Sequence, residues 1–413
     1  MIHNNKRCAL NITPLFKLCI LVLSLSVPTG VLAQRADGIV ESLVDMGFEN
    51  VAQTDPPGER IIALENSAWK LNPAGIRAAL EAIGADMGPG SKPCRVIVLK
   101  NNVPQISLYC DPAALGDSAA IAPGAWEASY RLDGAWQEVR RIKPANRSLF
   151  KVDIVVTPEF HFRNIKLYTP YDIMINLSPA LQISFWKGMM LTAQVIVPIY
   201  TTGYDPDDLG RMYYSKVRPG YITLSQQFRL PRAWFMQATI GTFNNFRWGA
   251  DLRAFHPFRN ERFALLLRAG LVGSSTFWNW KWHYTWPKTF VASVGGQYYM
   301  PRFNLQFNVN AARYMMGDYG ARIDMTRHFR NVSIGVYAQR TTKIDINGGF
   351  HFAIALPPYR YKRNRGIRAT TSDYFYLEYN AAAYNNEGAM YRTDPGENWS
   401  QNNFNPYYIK SEL

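Results

Sequence analysis

The chain has 413 residues, of which 47% are hydrophobic, 14% aromatic and only 18% charged, and its formal net charge is +14. This aromatic richness excludes a disordered chain, and 25 prolines with 29 glycines argue against a helical bundle. A slightly negative mean hydropathy excludes a polytopic helical membrane protein. Hydrophobic residues without long hydrophobic runs are typical of a transmembrane β-barrel, whose strands alternate apolar and polar side chains.

Residues 1–33 are predicted to form a secretory signal peptide. Its apolar stretch, residues 15–27, is interrupted by Lys17 and is shorter than the roughly 20 residues that a spanning helix needs. Small residues precede a cleavage position after Ala33. The alternative is an uncleaved anchor. The sequence therefore predicts export, and we expect the protein in the outer membrane of a Gram-negative bacterium.

Residues 34–124 are predicted to form a periplasmic α/β module and its linker. Helical and strand patterns alternate there, and one predicted helix begins at Asn72 with Pro73 in its first turn and ends at Gly84. The order of elements is αββ-αββ, and about 75 residues are enough for a modest core.

Two cysteines of this module flank consecutive strand-like runs. A turn between the runs would place Cys94 nearly opposite Cys110. We predict a cross-strand disulfide, which suits an oxidising periplasm. The alternative is a pair of buried free thiols, because a cross-strand bond demands particular geometry.

From about Phe150 onward the sequence has a period of two, and residues 125–385 are predicted to form an antiparallel outer-membrane β-barrel, followed by a C-terminal tail, residues 386–413. Apolar Phe303, Leu305 and Phe307 alternate with polar residues in one clear example. Fourteen such segments are present, and we expect some of them to be parts of one strand or to lie outside the sheet. The sequence therefore predicts about 12 strands, an even count as in bacterial barrels. A soluble β-sandwich also alternates, but its apolar face would lie in the core.

Charged residues share the polar faces of several predicted strands. They are candidates for lining the lumen: Arg247, Asp251, Arg253, Arg262, Arg268, Arg322 and Asp324. One interpretation is a cationic lining that guides an anionic chain. The other is a set of ion pairs that fills a narrow polar interior.

An aromatic stretch between two predicted strands alternates rings onto one side: Trp278, Trp280, Trp282, Tyr284 and Trp286. Such rings favour the membrane–water boundary, so the sequence predicts an aromatic girdle. Stacking on the sugar rings of a glycan is the alternative.

The sequence offers no candidate catalytic site. The histidines after the predicted signal are scattered without metal-ligand spacing, and nucleophile elbows, phosphate loops and nucleic-acid-binding signatures are missing. We therefore expect no metal, no cofactor, no enzymatic activity and no nucleic-acid partner.

Short motifs stand out at residues 43–51 and 61–66, and at 248–253 and 317–324 in the predicted barrel. Together they resemble the YjbH-type family of exopolysaccharide- and capsule-associated outer-membrane proteins. The resemblance implies an outer-membrane barrel encoded with polysaccharide-secretion partners, and it brings no catalytic residues. Members of that family are longer, with two barrel-and-module units, whereas this sequence resembles a shorter, single-barrel member.

The expected function is a non-enzymatic part in exopolysaccharide or capsule assembly or export. Expected partners are outer-membrane lipid, acidic polysaccharide and periplasmic or outer-membrane secretion proteins. The alternative is a general diffusion porin for small solutes. A glycan-modifying enzyme would need an acid–base pair of carboxylates in a cleft.

Overall fold

A computed structural model of the chain describes residues 38–88, 90–115, 121–163, 171–204, 214–364, 366–381, 388–397 and 404–413. The predicted signal peptide, residues 1–33, lies outside the described residues. In these ranges, no helix combines the length and the apolar character needed to cross a bilayer.

An N-terminal module combines helices with a five-stranded sheet. Its helices are α1 (Ile39–Met46), α2 (Asn72–Asp86) and α3 (Ala135–Val139). Its strands, hydrogen-bonded in chain order, are β1 (Glu49–Thr54), β2 (Arg60–Glu65), β3 (Cys94–Lys100), β4 (Val103–Cys110) and β5 (Glu127–Ser129). Strands β2 and β3 are parallel and the other pairs are antiparallel. Because β5 pairs with β4, the module continues beyond residue 124, where the sequence had suggested its end.

Both faces of the small sheet are covered. Helices α1 and α2 bury Leu43, Leu80 and Ile83 against one face, and α3 packs Val139 against the other. Gly84 does not end α2, which continues to Asp86. A Cβ on Gly84 would lie 2.2 Å from the carbonyl oxygen of Ile121, so the glycine is required by close backbone packing.

The second sheet is much larger and contains 15 strands within the described residues, where the sequence suggested about 12. They are β6 (Val152–Arg163), β7 (Asp172–Ile183), β8 (Met189–Thr202), β9 (Arg218–Leu230), β10 (Trp234–Phe243), β11 (Arg247–Pro257), β12 (Phe263–Trp278), β13 (Lys281–Tyr284), β14 (Thr289–Met300), β15 (Leu305–Arg313), β16 (Tyr319–His328), β17 (Val332–Thr341), β18 (Asn347–Ala355), β19 (Ile367–Thr371) and β20 (Tyr374–Asn380). From β6 to β18 neighbours in the chain pair antiparallel, except that β13 pairs only with β12 and β14 takes the next place in the order. The chain is therefore mainly β, as predicted.

The large sheet buries its polar face and exposes its apolar face. In β17, Ser333 and Tyr337 are 3% and 5% exposed, whereas Ile334 and Val336 are 52% and 48% exposed. The same alternation runs along β16. A soluble β-sandwich would show the opposite arrangement, because its apolar side chains form the core.

The first and the last strand in the hydrogen-bonding order of the large sheet, β19 and β20, lie close together. Strand β19 pairs in parallel with β6, and β20 pairs with β18 at the other end. Only Ser372 and Asp373 separate β19 from β20 in the chain. The rings of Phe162 in β6 and Tyr379 in β20 stack with centroids 5.4 Å apart.

A short C-terminal helix, α4 (Pro406–Glu412), joins the two parts of the molecule. The Asn405 side chain caps its first turn by accepting from the backbone N–H groups of Tyr407 and Tyr408. Lys410 pairs with Glu127 of the module, while the Tyr407 hydroxyl donates to the carbonyl of Asn260 in the β11–β12 turn, at 2.9 Å.

Candidate functional site

The polar face of the large sheet carries a cluster of neutralised charges. Asp251 accepts from Nε of Arg253 at 2.8 Å and from Nε of Arg268 at 2.7 Å. The Tyr391 hydroxyl donates to the same carboxylate at 2.7 Å. Arg253 also pairs with Glu397, 2.5 Å away. Two strands and the C-terminal segment therefore meet around one buried carboxylate.

A second cluster has the same design. Arg322 pairs with Asp324 at 2.7 Å and with Glu378 of β20 at 3.1 Å. Its guanidinium carbon lies 3.8 Å from the ring centroid of Tyr337. The Tyr376 hydroxyl donates to Glu378 at 2.7 Å. Arg253, Arg268 and Arg322 are thus matched by carboxylates, as expected for ion pairs across neighbouring strands.

Five of the seven predicted lumen residues belong to these two clusters, and the other two do not. Arg247 is half-buried at the start of β11, where Nη1 lies 3.5 Å from the carbonyl oxygen of Phe246. Arg262 lies in the exposed turn before β12, so its assignment to the strand face was wrong. The Asn260 side chain stabilises this turn by accepting from the backbone N–H groups of Arg262 and Phe263.

The C-terminal segment 388–397 lies against the polar face. The Tyr391 ring stacks on Phe243, with centroids 5.1 Å apart and planes 4° apart, and is fully buried. The Gly388 N–H donates to Asp318 at 2.8 Å, and the Gln339 side chain donates to the Gly388 carbonyl at 2.7 Å. The sequence predicted only a tail here, because a segment without period or motif gives no sign of where it packs.

This segment and α4 contact opposite ends of the strands of the large sheet. Asp318 lies just before the first residue of β16, and His328 is the last residue of the same strand. Asp318 contacts Gly388, and His328 contacts Tyr408 of α4, with ring centroids 5.2 Å apart. The described parts of the C-terminal region therefore contact the polar face at both ends of its strands.

The module covers the ends of the strands of the large sheet that lie beside α4. Nη1 of Arg229 donates to the carbonyls of Pro104 and Gln105 at 3.2 and 2.8 Å. The Asn101 side chain donates to the carbonyl of Met189 at 2.8 Å. These bonds join the β3–β4 hairpin of the module to the start of β8 and the end of β9 in the large sheet.

Lys70 makes a further contact between the module and the large sheet. Its ammonium donates to the carbonyl of Ser372 at 2.9 Å and to the Thr371 hydroxyl. Removal from water lowers the pKa of Lys70 to about 8, because burial penalises the charged form. A polar, hydrogen-bonded interface of this kind holds the module in one orientation.

The predicted aromatic stretch forms a hairpin from the end of β12 and β13. Asn279 and Trp280 have positive φ of 52° and 61° and make its two-residue turn. Trp278 stacks on His283, with centroids 4.4 Å apart, and Trp282 lies on the opposite face. The prediction that all five rings share one side was wrong, because the turn reverses the chain in the middle of the stretch.

The hairpin extends past the last residue of β12 that pairs with β14. Trp280 and Trp286 are 90% and 73% exposed. Tyr284 contacts Trp248 of β11, with centroids 5.6 Å apart. These exposed rings lie at one end of the strands of the large sheet. Such a position suits either an aromatic girdle at the level of the lipid headgroups or stacking on the sugar rings of a glycan.

Cys94 and Cys110 pair directly across β3 and β4, as the sequence predicted. The predicted bond between them is not formed in this structure, where both are buried free thiols. Burial raises the pKa of the Cys94 thiol to about 12. Thiolate, the form that reacts in disulfide exchange, is therefore scarce at neutral pH.

Within the described ranges, no group of three or more His, Cys, Asp or Glu side chains is placed to hold a metal ion. The carboxylates of the two polar-face clusters are paired with arginines. The arrangement supplies structural ion pairs.

Comparison with known proteins gives one family. Residues 42–350 match the model of the YjbH family, described as "Exopolysaccharide biosynthesis protein YbjH". No curated protein matches the chain. Among solved structures, the loop L8 deletion mutant of OmpT, an outer membrane protein of Vibrio cholerae, is 10% identical, with a TM-score of 0.25 over 49% of this chain and 86% of that chain. The trimer form of the in-vitro folded OmpT is 11% identical, with a TM-score of 0.26 over 55% and 93% of the two chains. Similarity at these TM-scores supports no conclusion about this chain.

Proposed function

The chain belongs to the YjbH exopolysaccharide biosynthesis family, and on that premise we propose that it is an outer-membrane β-barrel protein with a part in exopolysaccharide or capsule assembly or export. In this proposal the protein is not an enzyme. The barrel anchors the chain, and the N-terminal module faces the periplasm and docks onto secretion proteins.

The exposed apolar face of the large sheet is the observation that supports membrane insertion most strongly. Side chains such as Ile240, Ile323 and Ile334 are each more than half exposed. In water an apolar surface that follows strand after strand would be costly, whereas in lipid it is the stable arrangement. A closed sheet is also what a bilayer requires, because open edges would leave backbone groups without partners.

The positions of β19 and β20 support closure. Consecutive in the chain, they pair with opposite ends of the sheet. One segment, residues 367–380, thus contacts both β6 and β18. We infer that it closes the barrel, with a parallel contact between β6 and β19.

The packing of the polar face favours a docking or assembly role over the alternative, a general diffusion porin. Tyr391 and its neighbours in the segment 388–397 occupy that face, and the arginines of both clusters are paired. A diffusion pore needs a water-filled lumen instead.

Deletion of the gene tests this proposal. We expect lower extracellular polysaccharide with unchanged uptake of small solutes, and restoration of polysaccharide by the full chain. Normal polysaccharide combined with lost solute uptake would instead establish the porin. Depolymerisation of polysaccharide by the purified protein, lost on mutating one carboxylate, would show that it is an enzyme.

A further inference from the structure

A cationic cavity that is wide open to solvent lies where three parts of the molecule meet. Its volume is 460 Å³, and its walls come from the module (Arg131), the β11–β12 turn (Arg259, Glu261 and Arg262) and α4 (Tyr407). This size falls in the range of small-molecule sites, about 300–1,000 Å³. None of the seven lining residues is aliphatic.

The one acidic side chain of this wall is already engaged. Oε1 of Glu261 accepts from the Ser129 hydroxyl at 2.7 Å and from the Tyr130 N–H at 2.8 Å. Three arginines and one glutamate line the cavity. Their formal charges sum to +2.

All three arginines are exposed, and none of them makes an ion pair among the contacts of the described residues; two of the three guanidinium groups are held by neighbours. Arg131 donates to the carbonyl of Arg259 at 3.4 Å. The guanidinium of Arg262 lies 5.5 Å from the ring centroid of Tyr407, whose hydroxyl is held by the carbonyl of Asn260. Guanidinium groups held in this way retain donors for a carboxylate, which arginine binds in bidentate geometry.

We propose that this cavity binds an anionic sugar unit of an acidic polysaccharide. The inference rests on the proposed function and specifies a ligand and a site for it. The glycan contacts the cavity beside the module, and it does not contact the strand faces, where the arginines of the two clusters are already paired. The polar lining suits a sugar hydroxyl better than an acyl chain, and the volume exceeds what a lone anion needs.

The test measures binding of a galacturonate hexasaccharide to the purified full chain in neutral detergent. The double variant Arg131→Gln/Arg259→Gln should bind at least about tenfold more weakly, because two charged donors are lost. The matched control Arg140→Gln/Arg141→Gln removes the same charge from exposed positions on the module and should stay within about twofold of wild type. Maltohexaose, which is neutral, should not bind.

Equal binding by wild type and the Arg131→Gln/Arg259→Gln variant would overturn the inference and leave the proposed function standing, since the deletion test is independent of it. Full displacement of the hexasaccharide by equimolar inorganic phosphate would reduce the cavity to a simple anion site. Binding of dihexanoylphosphatidylglycerol that depends on Arg131 and Arg259, with no binding of the hexasaccharide, would assign the cavity to a lipid headgroup. Either result would also contradict the inference.

Discussion

Single residues decide how the polar face of the large sheet is held together. Asp251 is 4% exposed and accepts from two arginines and one tyrosine. Removing one member of a buried ion-pair network leaves the remaining charges in a poorly solvated place, which costs far more than the pair itself contributes.

We therefore expect Asp251→Ala to lower the free energy of unfolding by roughly 3–5 kcal/mol, because Arg253 and Arg268 lose their common partner. Urea unfolding of the detergent-solubilised protein, followed by far-UV circular dichroism, measures this change. The matched control is Asp345→Ala, which breaks an exposed ion pair with Arg340. The side chain of Asp345 is 82% accessible and that of Arg340 is 74% accessible. That change should cost less than about 1 kcal/mol. Equal effects of the two substitutions would show that the Asp251 network adds no stability.

Residue types on a strand face could be predicted from the sequence, and their partners could not. The period of two put Asp251, Arg253 and Arg268 on polar strand faces, and in the structure these three side chains form ion pairs. It could not reveal Glu397 or Tyr391 as partners, because those contacts join positions more than 120 residues apart in the chain. Arg262 was misplaced since turn boundaries shift by a residue or two against any periodic pattern.

At the scale of elements, the C-terminal segment is the least expected part of the structure. It has neither strand nor helix over residues 388–397, yet Tyr391 and Thr393 are buried. Its stability comes from contacts with the polar face, and no local pattern encodes such contacts. The module strands and the helices α1 and α2 were predictable, because local propensity and tertiary packing agree there.

Oxidative crosslinking tests the position of this segment. A Cβ at Gly388 would lie 3.3 Å from the Cγ2 atom of Thr341. The positive φ of 67° strains a cysteine at this position, and the Gln339 side chain has to move aside because its Nε2 would lie 2.6 Å from the new Cβ. With that shift, the pair Gly388→Cys/Thr341→Cys should form a disulfide under mild oxidation. Mass spectrometry of a protease digest under non-reducing conditions would detect the linked peptides. The control Gly388→Cys/Arg340→Cys places the second thiol next to Thr341 in the chain but on the exposed face of β17, and it should stay uncrosslinked. Failure of the first pair and crosslinking of the second would put the segment on the wrong side of the sheet.

At the scale of the whole molecule, the two-residue alternation predicted the β class but not the way in which the ends of the sheet meet. The count of alternating segments suggested about 12 strands, whereas β13 forms a hairpin with the end of β12, and β19 and β20 lie next to each other in one stretch of chain. These features depend on long-range pairing, which alternation within one strand cannot specify.

The proposed membrane insertion requires that the exposed apolar face of the large sheet contacts lipid. Spin labels in β17 test it most directly, with single cysteines introduced at Ile334, Val336, Ser333 or Tyr337 in protein reconstituted in bilayers. The buried Cys94 and Cys110 should label poorly, which the unsubstituted protein checks. Labels at Ile334 and Val336 should collide readily with oxygen, which concentrates in lipid, and those at Ser333 and Tyr337 should not. Two results would contradict contact with lipid. One is frequent oxygen collision at Ser333 and Tyr337 but not at Ile334 and Val336, and the other is that all four labels collide with a water-soluble nickel complex and none with oxygen.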